Sequence, residues 1–173
     1  MYGIQRNAAF YIVLTGLLCL SFPGFARSPS VHIQLTNFER SKDSHSETRD
    51  IKVEGNSVVF IGPDRSNCER GRCSPKTWTF KLRPEQKKRL WNTIRGQGLL
   101  RDFKEENPTT GVGSFVELKV TIHIGKKKYT GLVAGRKNTL GTDTGMISVE
   151  AYTYMSSASS IAFILKQWIP QEP

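Results

Sequence analysis

Two cysteines enclose the most distinctive short segment of the chain, Cys68-Glu-Arg-Gly-Arg-Cys73. An even pair of cysteines in an oxidising compartment most often forms a disulfide. Closing so short a ring stabilises a fold by about 2 kcal/mol in the chain-entropy model. The ring would also hold Arg70 and Arg72 on a rigid turn, which suits insertion into an acidic cleft or contact with phosphate or carboxylate groups. The alternative interpretation is a staple that stabilises a long surface loop.

Positive charge is concentrated around this segment. The chain of 173 residues has a formal net charge of +10, and residues 65–89 contain nine basic residues but two acids. If the strands pair as their patterns predict, Lys81, Lys119 and Lys128 would share the outer face of one sheet, and the arginines of the Cys68–Cys73 segment would lie at its rim. Together they would form a positive patch for an anionic partner. Ordinary solvated cations are the alternative. The predicted binding residues are Arg70, Arg72, Lys76, Lys81, Lys119 and Lys128.

Metal and redox chemistry lack the spacing that they need. His32, His45 and His123 lie far apart in the sequence, and with one cysteine pair they match no zinc-ligand pattern. Four residues separate the two cysteines, whereas redox pairs are separated by two. We therefore predict no metal site and no cofactor.

Catalytic residues are equally hard to assign. Ser114 follows Gly111-Val-Gly113, which is neither a nucleophile elbow nor a complete phosphate-binding motif. The acids Asp102, Glu105 and Glu106 are interpreted as part of a solvated loop. We expect no enzyme, with a small hydrolase as a minor alternative.

Residues 1–26 have the order of a secretory signal peptide. Arg6 precedes an apolar run at 8–20, and Pro23-Gly24 and Ala26 follow, so cleavage is predicted after Ala26. An uncleaved signal anchor is the alternative, because the uncharged run is nearly long enough to span a bilayer. We expect residues 27–173 to be one secreted or periplasmic domain without a transmembrane segment.

The first half of this domain alternates between apolar and polar residues, which predicts strands at 31–38, 51–54, 57–61 and 77–82. The turn at Gly55-Asn56 would place Val53 opposite Val58 and Ile51 opposite Phe60. Residues 39–50 and 62–76 are predicted to be loops.

A helix is predicted from Pro84, with Leu90, Trp91 and Ile94 as its buried stripe and Gln86 as half of a capping box. Strands at 115–124 and 128–134 then turn at Gly125. Residues 147–155 fit either a strand or a helix, and residues 158–169 are predicted to be helical. This order indicates an α+β fold, with one antiparallel sheet of five to six strands and two helices packed on one of its faces.

A family resemblance rests on the segments Leu82-Arg-Pro-Glu-Gln-Lys-Lys-Arg-Leu-Trp91 and Gly98-Leu-Leu-Arg-Asp-Phe103, followed by the hairpin at 116–134 and a terminal helix. In this order the chain resembles small bacterial domains of the emfourin kind, which are described as inhibitors of thermolysin-type metalloproteases. The resemblance implies an α+β inhibitor domain. No functional residue is carried over from it.

The sequence therefore predicts an exported, non-enzymatic binding protein whose basic surface meets an anionic envelope component or an acidic protein. Nucleic acid is disfavoured, because Trp78 and Phe80 fall on the inward side of their strand and cannot stack on bases. The second hypothesis is an inhibitor of an exported protease or other hydrolase that acts through the Cys68–Cys73 segment.

Overall fold

The computed structural model describes residues 28–40, 45–69, 72–107, 113–136 and 146–170. The predicted signal peptide, Gly111 and Arg70 lie outside these residues. Within the described part, seven strands form one mixed sheet in the order β4-β3-β2-β1-β6-β7-β5. The elements are β1 (Ser30–Arg40), β2 (His45–Glu54), β3 (Ser57–Glu69), β4 (Arg72–Lys81), α1 (Pro84–Gly96), β5 (Phe103–Glu106), β6 (Gly113–Ile124), β7 (Lys127–Arg136) and α2 (Val149–Gln167).

One face of the sheet, called the core face here, carries the alternating apolar side chains. Val31 lies between Val53 of β2 and Ile122 of β6, and Ile33 lies between Ile51 and Val120 in the next buried row. All of these side chains are buried. The opposite face, called the outer face, carries the intervening, mainly polar residues of the same strands. The period-two pattern therefore determines which face of each strand is buried.

Both helices contribute to the same hydrophobic core as the sheet. The buried stripe of α1 is the predicted one, Leu90, Trp91 and Ile94. The buried residues of α2 include Tyr154, Ile161 and Leu165. Helix and sheet residues together form one continuous cluster. The packing of both helices on a single face of the sheet stays a prediction.

Local hydrogen bonds fix where each helix begins. The backbone N–H of Arg83 donates to Oε1 of Gln86 at 2.9 Å, which is the predicted half of a capping box. Ser148 caps α2, because its Oγ accepts from the backbone N–H of Ala151 at 3.1 Å. This cap resolves the ambiguity at 147–155: the segment becomes helical at Val149, so the strand alternative is wrong.

The sheet is larger than predicted, and it is not purely antiparallel. The additional strand is β5, which pairs in parallel with β7 from Phe103↔Gly131 to Glu106↔Ala134. Four residues with three charges give no apolar alternation, so the sequence does not reveal this strand. Phe103 instead stacks on Tyr154 of α2, with 4.9 Å between the ring centroids. The strand is therefore stabilised by a tertiary contact.

The loop predicted at 39–50 is largely strand. β1 continues to Arg40, and β2 begins at His45, with pairs such as Thr36↔Thr48 between them. The Oγ1 atoms of Thr36 and Thr48 are hydrogen-bonded at 3.2 Å. This stretch lacks apolar residues, but cross-strand polar pairs and backbone hydrogen bonds maintain it as a ladder.

The interpretation of the acids at 102–106 as a solvated loop is wrong for Glu105 and Glu106, which belong to β5, whereas Asp102 precedes the strand and is exposed. Oε1 and Oε2 of Glu105 accept from the backbone N–H and Oγ of Ser148 at 2.6 and 2.5 Å. Asp102 accepts from the backbone N–H of Thr130 at 2.7 Å. Asp102 thus bonds to β7, and Glu105 attaches β5 to the start of α2.

We predict that replacing Glu105 by Ala lowers the free energy of unfolding by about 1–2 kcal/mol, because the Ser148 N–H and hydroxyl lose a charged acceptor. Urea unfolding followed by circular dichroism measures this loss. Glu106→Ala is the matched control, since Glu106 on the same strand pairs with the exposed Lys104, and its loss should stay within about 0.5 kcal/mol. Equal losses of unfolding free energy in the two variants would contradict the conclusion that Glu105 attaches β5 to the start of α2.

A glycine on β7 makes room for the buried ring of Tyr154. A Cβ atom at Gly131 would lie 2.1 Å from the Tyr154 hydroxyl oxygen and 2.5 Å from the ring. That hydroxyl is buried, and it has no hydrogen-bond partner within the described residues. Burial raises the pKa of Tyr154 to about 12. Gly131 is therefore required by close packing of α2 on the sheet.

Gly131→Ala should lower the free energy of unfolding by about 2 kcal/mol, because the new methyl group forces Tyr154 or the strand to shift. The measurement is again a denaturant titration. Gly96→Ala is its control: a Cβ there meets nothing within 4 Å, and alanine is the better helix former. If Gly131→Ala were as stable as Gly96→Ala, the packing argument would be wrong.

Candidate functional site: a disulfide-linked hairpin and a basic groove

The segment at 62–76, predicted to be a loop, is a β-hairpin closed by the expected disulfide. β3 and β4 remain paired from Ser57↔Lys81 to Pro63↔Pro75, and again at Cys68↔Cys73 and Glu69↔Arg72. Cys68 and Cys73 are bonded, with their Cα atoms 4.0 Å apart. The register shifts between Pro63 and Cys68, so β3 bulges there. The two prolines, the polar residues and the bulge hide the hairpin from a pattern-based prediction.

The end of this hairpin extends beyond the rest of the sheet. β2 pairs with β3 no further than Ile61, and among the described residues β4 is the only strand that pairs with β3 beyond that point. Asp64 accepts from the backbone N–H and Oγ of Ser66 at 3.1 and 2.6 Å. These hydrogen bonds lower the pKa of the Asp64 carboxyl. Residues 65–69 are exposed. The tip is thus a cross-linked, solvent-facing ribbon.

Of the predicted binding residues nearest this tip, Lys76 is the one whose side chain the structure describes. Arg70 lies outside the described residues, and Arg72 is described as part of β4 without its side chain. Lys76 is half-buried, and its Nζ lies 5.8 Å from the centroid of the Trp78 ring. Trp78 in turn packs edge-on against Phe60, with 5.8 Å between centroids. Lys76 therefore sits over the aromatic base of the hairpin.

The other three predicted residues lie on the outer face but not together. Lys81 is on the edge strand β4, Lys119 on β6 and Lys128 on β7. Five strand spacings separate β4 from β7, a distance of roughly 24 Å. The three lysines share a face, as predicted, but they do not form a compact patch.

Acids interrupt the outer face as well. Lys119 Nζ pairs with Glu117 Oε1 at 2.5 Å, and the hydrogen bond from this amine to Glu117 raises the pKa of Lys119. Lys104 pairs with Glu106 at 2.8 Å, and that hydrogen bond raises the pKa of Lys104. Mixed charge of this kind is typical of a solvated sheet face.

A histidine–carboxylate pair also lies on the outer face. His32 Nε2 and Asp50 Oδ1 are 2.9 Å apart on neighbouring strands. Within the described residues, no hydroxyl or thiol hydrogen-bonds to His32, and no group of three potential ligands could hold a metal ion. The pair acts as a cross-strand contact between β1 and β2.

A basic groove lies along α1, where the sequence analysis placed no binding residue. Its cations are Lys87, Lys88 and Arg95, and no acid lines it. The groove has a volume of about 380 Å³ and is open to solvent. None of the three cations makes an ion pair in the described part of the chain. The remaining lining residues are Pro29, Pro84, Trp91, Asn92 and Ile124.

The walls of the groove are positioned by three separate elements. Pro84 starts α1, and Ile124 ends β6. Pro29 precedes β1, and its carbonyl accepts from the backbone N–H of Gly55 at 3.2 Å in the β2–β3 turn. The groove is therefore fixed where α1 meets the start of β1 and the end of β6.

Trp91 lines the groove, but its indole nitrogen is not accessible to solvent. The residue is 7% exposed. Its indole N–H is buried and has no hydrogen-bond acceptor within the described residues. A buried donor without a partner costs about 1–3 kcal/mol. This N–H is therefore a cost of packing α1 on the core and not part of the accessible surface of the groove.

A signal for this groove was present in the sequence. Residues 84, 88, 91, 92 and 95 follow the spacing of one helical face, and Lys87-Lys88-Arg89 belongs to the basic segment already noted. Arg89 differs from its neighbours, because its guanidinium lies 6.0 Å from the centroid of the Trp168 ring. What the sequence lacked was the contribution of Pro29 and Ile124, which are distant along the chain.

Two comparisons, with protein-family models and with curated proteins, find no match for the chain. The similarity to emfourin-like domains therefore stays a prediction. Within the described residues, no helix is long and apolar enough to cross a membrane.

Proposed function

We propose that this protein is an exported, non-enzymatic binding protein that holds an anionic partner against the basic surface of α1. The observation that carries the proposal is the groove in which Lys87, Lys88 and Arg95 converge without an acid. Three unpaired cations around one concavity create a positive potential that attracts anions from solution. Lys119, by contrast, already has a carboxylate partner.

Export is supported by two features. The Cys68–Cys73 disulfide is of a kind that persists in oxidising compartments and is rare in the cytosol. The N-terminal sequence has the order of a signal peptide. We propose an envelope or extracellular component, or an acidic protein, as the partner, because these are the anions that an exported chain meets.

The binding proposal predicts that Lys87→Ala/Lys88→Ala/Arg95→Ala elutes from a phosphate-bearing matrix at a much lower salt concentration than the native protein. The triple variant loses three cations that act together, and electrostatic attraction of this kind is screened by salt. Elution position in a salt gradient is the measurement. The fold should persist, because alanine favours helix at all three positions.

The matched control is Lys81→Ala/Lys119→Ala/Lys128→Ala, which removes the same net charge from the outer face. We expect it to elute close to the native protein, because those lysines are dispersed and Lys119 is paired. If both triple variants elute together, retention depends on net charge alone, and α1 is not the binding surface.

A second function is favoured by the shape of the hairpin tip. The Cys68–Cys73 cross-link holds an exposed ribbon beyond the sheet, and a preorganised loop loses little entropy when it enters a cleft. We propose as the alternative that the tip inhibits an exported hydrolase, with thermolysin-type metalloproteases as the first class to test.

The inhibitor hypothesis predicts a stoichiometric loss of protease activity when the native protein is added, and weaker inhibition after the disulfide is reduced. Cys68→Ser/Cys73→Ser should reproduce the effect of reduction, because the open tip pays more entropy on binding. The assay is cleavage of a peptide substrate. The hypothesis that the tip is the inhibitory segment would be ruled out by either of two results. One is full protease activity in an excess of the protein, and the other is inhibition that reduction of the disulfide leaves unchanged.

A further inference from the structure

We infer that the β4 edge, meaning the backbone of residues 77–81, binds an extended acidic segment of a partner protein, which joins the sheet as an additional strand. This surface is distinct from that of α1, and binding there requires none of the α1 cations. Three observations support it: the position of β4 at the end of the sheet, the direction of its backbone groups and the charge of its side chains.

β4 forms a long edge of the sheet. In the described part of the chain, β3 is the only strand that pairs with β4, which is ten residues long. The opposite edge, β5, has four residues and is attached to α2 through Glu105. An unpaired edge presents a row of N–H and C=O groups that can pair with a strand of another chain. β4 therefore offers the longer row of such groups.

One hydrogen bond establishes which backbone groups of β4 face away from β3. The N–H of Leu82 donates to the carbonyl of Asn56 at 2.7 Å, so these two residues form a hydrogen-bonded pair. Hydrogen-bonded and non-hydrogen-bonded pairs alternate along an antiparallel ladder, and every second residue of β4 therefore directs its N–H and C=O outwards. Within the described residues, no turn, loop or cap hydrogen bond occupies these groups. The residues with outward-facing groups are Thr77, Thr79 and Lys81.

Two prolines support this assignment. Pro63 and Pro75 are directly paired in the ladder, and proline lacks the N–H that a hydrogen-bonded pair requires. Their pair must therefore be non-hydrogen-bonded, which by alternation gives Pro75 the same orientation as Lys81. Because the ring nitrogen of Pro75 faces outwards, an added strand can pair along residues 77–81 but loses a hydrogen bond at Pro75.

The charge of β4 favours an acidic occupant. The strand contains Arg72, Lys76 and Lys81 but no acid. Lys81 lies within the β4 edge and is exposed, and it makes no ion pair within the described residues. Opposite charges that face each other across two strands stabilise their pairing. An acidic side chain opposite Lys81 would therefore strengthen the addition of a strand.

A second copy of this chain fits the β4 edge less well than an acidic strand. The chain has a formal net charge of +10, and a second β4 would bring only further cations to the edge. Like charges that face each other across strands are destabilising, and lysine and proline on an edge strand commonly prevent self-association. The side chains that oppose a second copy attract an acidic strand, so charge selects between these two occupants.

The two faces of the sheet define the side-chain pattern of the incoming strand. On the core face of β4, Phe80 belongs to the hydrophobic core and Trp78 packs against it half-buried. An apolar side chain beside Trp78 would cover the exposed part of its ring. On the outer face, acidic side chains would lie beside Lys81. The expected ligand is therefore an extended segment in which apolar and acidic residues alternate.

Amide hydrogen exchange, resolved by residue with NMR, tests this binding, and a short peptide of alternating valine and glutamate is the probe. In the protein alone, the amides of Thr77, Thr79 and Lys81 should exchange rapidly, and those of Trp78 and Phe80 slowly. The peptide should slow the first group by about tenfold when its concentration is about ten times its Kd. The second group should change little, because its hydrogen bonds to β3 already exist.

Two further peptides separate backbone pairing from charge attraction. N-methylation of the valine–glutamate peptide at the residues whose N–H would face β4 removes the donors and leaves the charge unchanged. This peptide should not protect the β4 edge. A peptide of alternating valine and lysine retains the donors, but it should bind weakly because like charges face Lys81. Equal protection by the N-methylated and unmodified peptides would contradict strand addition.

Variants of Thr79 make the test specific to the edge. Thr79→Pro removes an outward-facing N–H and no hydrogen bond to β3, and Pro75 already shows that proline fits this orientation. It should weaken binding of the valine–glutamate peptide by about tenfold, since it removes a hydrogen bond and blocks close pairing. Thr79→Ala keeps the N–H and should bind as the native protein does.

A charge variant covers the case in which Thr79→Pro does not fold. Lys81→Glu is exposed on the outer face, and it should reverse the preference, so that the valine–lysine peptide binds more tightly than the valine–glutamate peptide. The inference is overturned if the native edge gains no protection, or if both Thr79→Pro and Lys81→Glu bind the valine–glutamate peptide as the native protein does. Protection that rises with protein concentration alone would identify a second copy as the occupant and would also overturn it.

The α1 triple variant separates this inference from the proposed function. At saturating peptide it should keep the alternating protection of the β4 edge, even if it no longer binds the phosphate-bearing matrix. If the triple variant abolishes peptide binding while Thr79→Pro leaves it unchanged, the acidic peptide binds to α1. That result would overturn the assignment to β4 and would support the proposed function.

Discussion

The architecture depends on the pairing of β1 with β6. These strands meet over eleven consecutive positions, from Ser30↔His123 to Arg40↔Gly113. They are also the only junction, in the described sheet, between the β1–β4 meander and the β5–β7 group. A shift of one residue would move Val31 and Ile33 from the core face to the outer face. Every buried row that crosses the sheet therefore depends on this register.

The same strand order determines where α1 lies and why its basic face is exposed. β4 and β5 form opposite edges of the sheet, and α1 is the element between them in the chain. The connection must therefore traverse the sheet. α1 buries Leu90, Trp91 and Ile94 in the core, which leaves Lys88 and Arg95 exposed. The topology thus presents the basic face of α1 to solvent beside the end of β6.

The sequence predicted those parts of the fold in which local pattern and burial agree. Ile51 and Val53 alternate with polar residues, and the Gly55 turn set their partners correctly. Prediction from the sequence failed where a strand is held by residues that are distant along the chain. β5 is such a strand, because it depends on Tyr154 and on the cap at Ser148. A count of charge located the basic segment that contains α1. It could not distinguish Lys119, which pairs with Glu117, from Lys88, which makes no ion pair within the described residues.

Both helices satisfy their termini by the same local rules. α2 has an acceptor cap at Ser148, Glu150 in its first turn and Lys166 in its last, as the helix dipole favours. α1 has a capping-box bond from Arg83 to Gln86, with Glu85 in its first turn and Arg95 in its last. Each helix also buries a polar aromatic side chain: within the described residues, the Trp91 indole N–H and the Tyr154 hydroxyl have no hydrogen-bond partner. Each unsatisfied group costs about 1–3 kcal/mol, so the burial of the two rings against the core must contribute more than this cost for the packing to persist.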